Sequence, residues 1–264
     1  MSIGAHPDDA DTSAGGLLQK LYHKGWEVKM LSLTDGSAGT YDVNKGGKRL
    51  AEIRKNEAQK SGALVGGCYD VWDLTDGKLE NSITNRERLI SYIRKFAPDI
   101  IVTNRPNDYH PDHRATALLV ADASYLLTIP YICSDEQNMK HVPVILYWSD
   151  NFERPYAFKE DIIVPINGYV EKWADMACCH ESQYFDFMYW PDRMECREWS
   201  RKRQVEELKK RYKNIAEKRR KSAENQLIER YGEEKAILVQ AVEFYEICEF
   251  GGALTEELRT ILEE

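Results

Sequence analysis

Apolar positions along the chain repeat with two different periods, and the two alternate. Short apolar or β-branched runs at residues 1–5, 28–33, 69–74, 99–103 and 142–148 read as strands. Between them lie amphipathic stretches with helical spacing at 12–23, 48–64, 85–96 and 112–126. Gly25 follows the first helix, Pro98 ends the third, and Asp35-Gly36 and Asp76-Gly77 mark turns after strands. Beyond residue 150 the pattern predicts helices at 168–179, 197–231, 234–249 and 255–264. Strands alternating with helices imply an α/β fold whose mostly parallel sheet is covered on both faces. The expected organisation is an α/β core over 1–195 and a helical C-terminal extension over 196–264, packed together as one domain.

Composition narrows the class. Of 264 residues, 42% are apolar, enough for a sizeable core, and 30% are charged. No run approaches the length of a membrane span, and no basic-then-apolar leader opens the chain, so neither a transmembrane segment nor a signal peptide is expected. Six cysteines without a Cys-x-x-Cys pair do not form a disulfide framework or a thiolate metal site. A reducing, cytoplasmic setting is the expectation. The net charge is −8, yet residues 197–221 hold twelve Lys/Arg and four Asp/Glu, which leaves −16 on the remainder. Such a run can bind nucleic acid, but a solvated helix face pairing with an acidic body or a second subunit is the commoner outcome. No nucleic-acid partner is expected, and a homo-oligomer is compatible with the sequence.

The candidate chemistry sits in two short segments. Ala5-His6-Pro7-Asp8-Asp9 follows the first strand, and His110-Pro111-Asp112-His113 follows the 99–103 strand. Ligands of open α/β sheets bind beyond the carboxyl ends of the strands, where both segments fall. A catalytic zinc takes three protein ligands and keeps one position open. His6 and Asp9, one helical turn apart, can meet His113 on one ion, one Zn²⁺ per chain. Asp8 then remains as general base for water, and His110 as a donor to an oxyanion or a leaving amine. Asp112 can hydrogen-bond His110 and fix its tautomer, or simply cap a helix. Two histidines and a carboxylate also describe the facial triad of non-haem iron oxygenases. The helix–strand alternation and the spare Asp8 favour hydrolysis.

The paired motifs resemble those of the LmbE-like family of N-acetylglucosaminyl deacetylases, also called the PIG-L family. Leu33-Thr34-Asp35-Gly36, the helix carrying Arg54 and Glu57, Asp76-Gly77, the stretch from Lys172 to His180-Glu181-Ser182-Gln183, and Glu243 to Ile247 are similar to further family segments. The resemblance implies a Rossmann-like fold and a zinc-dependent hydrolase that removes an N-acetyl group from an amino sugar or its conjugate. It implies metal at His6, Asp9 and His113, Asp8 as base, and His110 supported by Asp112. It suggests that Arg54 and Asp76 face the sugar. His180 is placed near the site without an assigned step. Two features depart from the family pattern: Ala10 stands where a Glu usually follows Asp9, with Asp11 one residue later as a substitute, and the long basic helix is an addition to the compact core.

Overall fold

The computed structural model describes residues 1–187, 196 and 198–264. A single seven-stranded sheet has the order β3-β2-β1-β4-β5-β7-β6. Its strands are β1 (Ser2–Gly4), β2 (Lys29–Thr34), β3 (Cys68–Leu74), β4 (Ile100–Thr103), β5 (Val144–Trp148), β6 (Ile162–Pro165) and β7 (Val242–Ile247). The first five are parallel, and β7 runs against both of its neighbours. Strand order reverses between β1 and β4, whose carboxyl ends lead into the two histidine loops. This is the switch-point crevice where α/β sheets take their ligands.

Strand alternation sends side chains to two cores. On one face Leu17, Leu18, Met30, Val102, Leu146, Trp173 and Tyr245 are buried under α1 (Asp9–Thr12), α2 (Gly15–His23), α3 (Lys48–Leu64), α6 (Val170–Cys179) and α7 (Arg201–Ser222). On the other, Ile3, Leu31, Leu33, Ile101 and Ile145 pack with Leu89, Ile93 and Leu119 of α4 (Ile83–Phe96) and α5 (Pro111–Ser124). Further along, Ile163, Val242 and Phe244 meet Leu227 of α8 (Glu224–Tyr231) and Ala236 of α9 (Glu233–Ala236). A last helix, α10 (Glu256–Glu263), buries Leu262.

Three expectations are corrected. The 234–249 segment is not a helix, because β7 forms there, hydrogen-bonded on both sides by β5 and β6. Its Glu243 is buried and accepts the Gly16 and Leu17 N–H groups at 2.8 Å each, which satisfies the open N-terminus of α2. Strand β6 had no counterpart in the sequence pattern. The long basic helix is two, α7 and α8, broken at Ala223. The basic face of α7 pairs in part with its own body: Lys209 reaches Asp175, Arg219 lies over Trp173, and Arg220 donates to the Val239 carbonyl. Arg197 at its expected start lies outside the described residues. Trp173, Tyr184 and Phe185 are buried, while Tyr189 and Trp190 also lie outside the described residues. Among the described residues no helix is long and apolar enough to cross a membrane.

Candidate metal centre and active site

The first loop is shaped around one carboxylate. Asp9 opens α1 and turns back, so that its Oδ2 accepts the backbone N–H groups of Ala5 and His6, both at 2.9 Å. A side chain at Gly4 would meet the Asp9 Cβ at 2.5 Å, so the strand end must be glycine for this fold-back. The second loop enters α5 with His110 as its N-cap, and Pro111 in the first turn sets the helical dihedral. Asp108, two residues earlier, accepts the His110 N–H at 2.8 Å.

These loops bring three donor atoms together. His6 Nδ1 and His113 Nε2 are 3.2 Å apart, and each lies 3.5 Å from Asp9 Oδ2. Ligands on a tetrahedral zinc stand roughly 3.3 Å from one another, given metal–ligand bonds of about 2.0–2.1 Å. The far nitrogen of each histidine faces carboxylates. His6 Nε2 is 3.2 Å from Asp76 Oδ1 and 3.5 Å from Asp112 Oδ2, and His113 Nδ1 is 3.1 Å from Asp108 Oδ2. Neither nitrogen is aligned for a full hydrogen bond. In the neutral rings the proton belongs on the carboxylate side, which leaves the lone pairs of His6 Nδ1 and His113 Nε2 directed at the shared point. That is the carboxylate–histidine–metal arrangement, and the donor set fits a divalent ion.

His6 belongs to two other groupings, one with His110 and His113 and one with Asp76 and Asp112. In the second grouping Asp112 is already engaged, its carboxylate accepting Gly77 N–H at 2.7 Å and Leu79 N–H at 3.2 Å. Asp76 likewise accepts the Ala38 N–H at 3.1 Å. In the first, His110 uses its Nδ1 to accept the Asp112 backbone N–H at 3.2 Å. The neutral His110 ring therefore carries its proton on Nε2 and acts as a donor. In the triangle of His6, Asp9 and His113 neither imidazole nitrogen accepts from a backbone donor among the described residues, while Asp9 Oδ2 also holds the Ala5 and His6 N–H groups.

The electrostatics separate the two adjacent aspartates. Burial pushes the Asp8 carboxyl up to about 6, the Asp9 charge adds to this, and His180, Arg54 and His6 oppose it. Burial would raise Asp9 too, but His113 and His6 outweigh it and hold Asp9 well below the usual carboxylate range. Two neighbours pushed apart in this way suit two roles, a retained anion and a proton acceptor. Burial, then the charges of His6 and His113, keep His110 below its ordinary value. The Asp8 carboxylate accepts no hydrogen bond from the described residues.

Arg54 and Asp76 separate. Asp76 stands behind His6, accepting the Ala38 N–H at 3.1 Å and facing the imidazole at 3.2 Å. Asp112 differs from expectation: its carboxylate faces His6, and only its backbone touches His110. Arg54 is 3% exposed and donates to the Gly39 carbonyl and Gln183 Oε1. Sequence reasoning missed Asp108, although its place two residues before His110 was a readable signal. It also missed Tyr109, an exposed ring flanking both His110 and His113.

A Rossmann-like sheet with a His/Asp cluster at its switch point defines a class of metal-site α/β proteins. Within that class, residues 1–124 match the family model of PIG-L, GlcNAc-PI de-N-acetylase. Diacetylchitobiose deacetylase of Thermococcus kodakarensis is 35% identical over 135 residues, covering 49% of this chain and 50% of that protein. A 1D-myo-inositol 2-acetamido-2-deoxy-alpha-D-glucopyranoside deacetylase of Corynebacterium diphtheriae is 29% identical over 139 residues, or 43% of this chain and 47% of that one. The chain thus spans about half the length of these curated relatives. Among solved structures, N,N'-diacetylchitobiose deacetylase from Pyrococcus horikoshii superposes with a TM-score of 0.70 at 26% identity, covering 94% of this chain and 83% of that one. The 4-carboxy-2-hydroxymuconate hydratase GalB of Pseudomonas putida reaches 0.74 at 17% identity, over 97% of each chain, and shares the fold alone.

Proposed function

We propose that the protein is a zinc-dependent N-deacetylase acting on an N-acetylated amino sugar or its conjugate. The observation that carries this reading is the triangle of His6 Nδ1, Asp9 Oδ2 and His113 Nε2, with sides of 3.2 and 3.5 Å, beside a carboxyl raised to about 6. His6, Asp9 and His113 would hold the metal, oriented by Asp76 and Asp112 behind His6 and by Asp108 behind His113. When bound, the ion supplies Lewis acidity to the acyl carbonyl and acidifies water.

The chain's own groups do the rest. Asp8 accepts the proton of the water that attacks the acyl carbon, a task suited to a carboxyl raised toward neutral pH. His110, with its proton on Nε2, donates to the oxyanion as the carbonyl becomes tetrahedral. The proton held by Asp8 then passes to the departing nitrogen, so acetate and free amine are the products. Arg54 contributes fixed positive charge and hydrogen-bond donors to the sugar. The curated relatives named above, a diacetylchitobiose deacetylase and an acetamido-sugar inositol deacetylase, support an amino-sugar substrate.

Fold alone does not choose the reaction, since GalB shares it. The test is release of acetate and free amine by the zinc-loaded protein from N-acetylglucosamine, diacetylchitobiose and N-acetylglucosaminyl-inositol, with N-acetyl amino acids as controls. Turnover of the sugars alone supports the reading. Turnover of the amino acids alone would make this a non-sugar amidase, and no release from any of them would refute deacetylation of these classes.

A further inference from the structure

Segment 180–183 and α3 are joined by two direct polar pairings and a third through Asp11 of α1, and the proposed mechanism uses only the arginine among them. On α3, Arg54, Glu57 and Ser61 recur at helical spacing and face one side. Each has a partner. Arg54 Nη2 donates to Gln183 Oε1. The Glu57 carboxylate accepts both the Ser182 N–H at 2.9 Å and its hydroxyl at 2.7 Å. Ser61 donates to Asp11 Oδ2, which also lies 2.6 Å from His180 Nε2. Arg54, Glu57, Ser61, His180 and Ser182 are all buried. Burying so many polar groups costs stability unless each is satisfied, so the arrangement acts as one unit.

The unit ends on Arg54. Its Nη2 takes both the Gly39 carbonyl, at 2.9 Å, and the Gln183 oxygen. The guanidinium lies so close over Gly39 that a Cβ there would meet it at 2.5–2.8 Å. With Nη2 committed, Nη1 makes no hydrogen bond among the described residues, and buried Nε is without a partner. The Arg54 charge bears on both Asp8 and Asp76, so the guanidinium stands beside the candidate centre.

We propose that Gln183 is a positioning residue for Arg54: its side-chain oxygen holds Nη2, leaving Nη1 for the substrate, while Glu57–Ser182 and Asp11–His180 fix the turn that presents it. A guanidinium can only donate, so the facing atom of Gln183 must be its oxygen. The role of Arg54 toward substrate rests on the function proposed above; its orientation by Gln183 does not.

The experiment has two arms on the zinc-loaded protein, with Gln183→Leu to remove the acceptor and Gln183→Glu to restore one. In the kinetic arm, Gln183→Leu raises KM about tenfold with a much smaller change in kcat, as expected for losing a hydrogen bond to a charged group. Gln183→Glu recovers most of this, and in an Arg54→Ala background Gln183→Leu has no further effect. Equal losses in both backgrounds would overturn the proposal. The second arm needs no turnover. Phenylglyoxal modification of Arg54, followed by peptide mass spectrometry, accelerates several-fold in Gln183→Leu and returns toward the parent rate in Gln183→Glu. An unchanged rate in Gln183→Leu would also overturn it. A parent protein without deacetylase activity would refute the proposed function and leave the labelling arm to decide this inference.

Discussion

His6 Nδ1 and His113 Nε2 stand 3.2 Å apart although 107 positions separate them in the chain. The sheet produces this proximity. β1 and β4 are adjacent and parallel, in register Ser2↔Val102 and Ile3↔Thr103, so the loops leaving their carboxyl ends start side by side. Asp9, folded back onto the Ala5 and His6 amides, completes the triangle from the first helical turn. Neither histidine loop could form it alone.

The first prediction concerns metal content. The purified protein binds one zinc per chain, and Asp9→Ala or His113→Ala abolishes stoichiometric binding, measured by elemental analysis after gel filtration. Loss of the ion lowers kcat/KM on the order of a thousandfold or more, since several kcal/mol of transition-state stabilisation depend on it. Chelation does the same to the parent protein, and added zinc restores it. Full activity after chelation would contradict the assignment.

Asp8 is expected to behave differently from its neighbour. Asp8→Asn keeps the metal and lowers kcat by about 10²–10⁴-fold, the range for losing a general base. Elemental analysis and steady-state kinetics on the same preparation separate the roles of Asp8 and Asp9. A metal-loaded Asp8→Asn protein with near-parental kcat would remove Asp8 from the reaction.

The placement of Asp76 and Asp108 yields a third test. Each faces the far nitrogen of a candidate ligand, so Asp76→Asn and Asp108→Asn weaken zinc affinity by about 10–100-fold. Competition against a chromophoric chelator measures this, and KM at saturating zinc changes little. Unaltered affinity with a raised KM in Asp76→Asn would return that residue to the sugar.

A fourth prediction lies far from the centre. Lys20 is buried in α2 with its ammonium donating to the Leu262 carbonyl at 2.7 Å. Burial, with the Lys24 charge adding, lowers it to about 8, against the opposing pull of Glu263 and Glu243. The folded state therefore releases this proton before the unfolded state does, and between about pH 8 and 10 folding stability gains from Lys20 as pH rises. The full gain is on the order of 3 kcal/mol. Lys20→Met lacks it, so the difference in unfolding free energy between parent and variant shifts in the parent's favour across that window. A pH-independent difference, measured in urea, would refute the shift.

The parts of the molecule legible in the sequence share a physical basis. The early strands read correctly because β-branched runs end in turn residues, and the two histidine motifs sit directly after strands, where the chemistry of an α/β sheet collects. The 234–249 segment misled because Glu and Ala favour helix locally, whereas β7 is fixed by partners on both sides and by Glu243 meeting α2 amides 226 and 227 positions away. β6 escaped notice because four residues ending in Pro165 give too short a period. The side of Asp112 that faces His6 depends on Gly77 and Leu79 docking their amides on it, a tertiary contact that no spacing encodes. The partnering of Arg54 with Gln183 is likewise set by α3 packing against the end of α6.

The most direct measurement is anomalous diffraction at the zinc edge from crystals of the zinc-loaded protein. One peak within about 2.0–2.2 Å of His6 Nδ1, His113 Nε2 and an Asp9 oxygen is the predicted result. A peak bound instead through His6 Nε2 with Asp76 and Asp112, or no peak at His6 at all, would contradict the assignment on which the function rests.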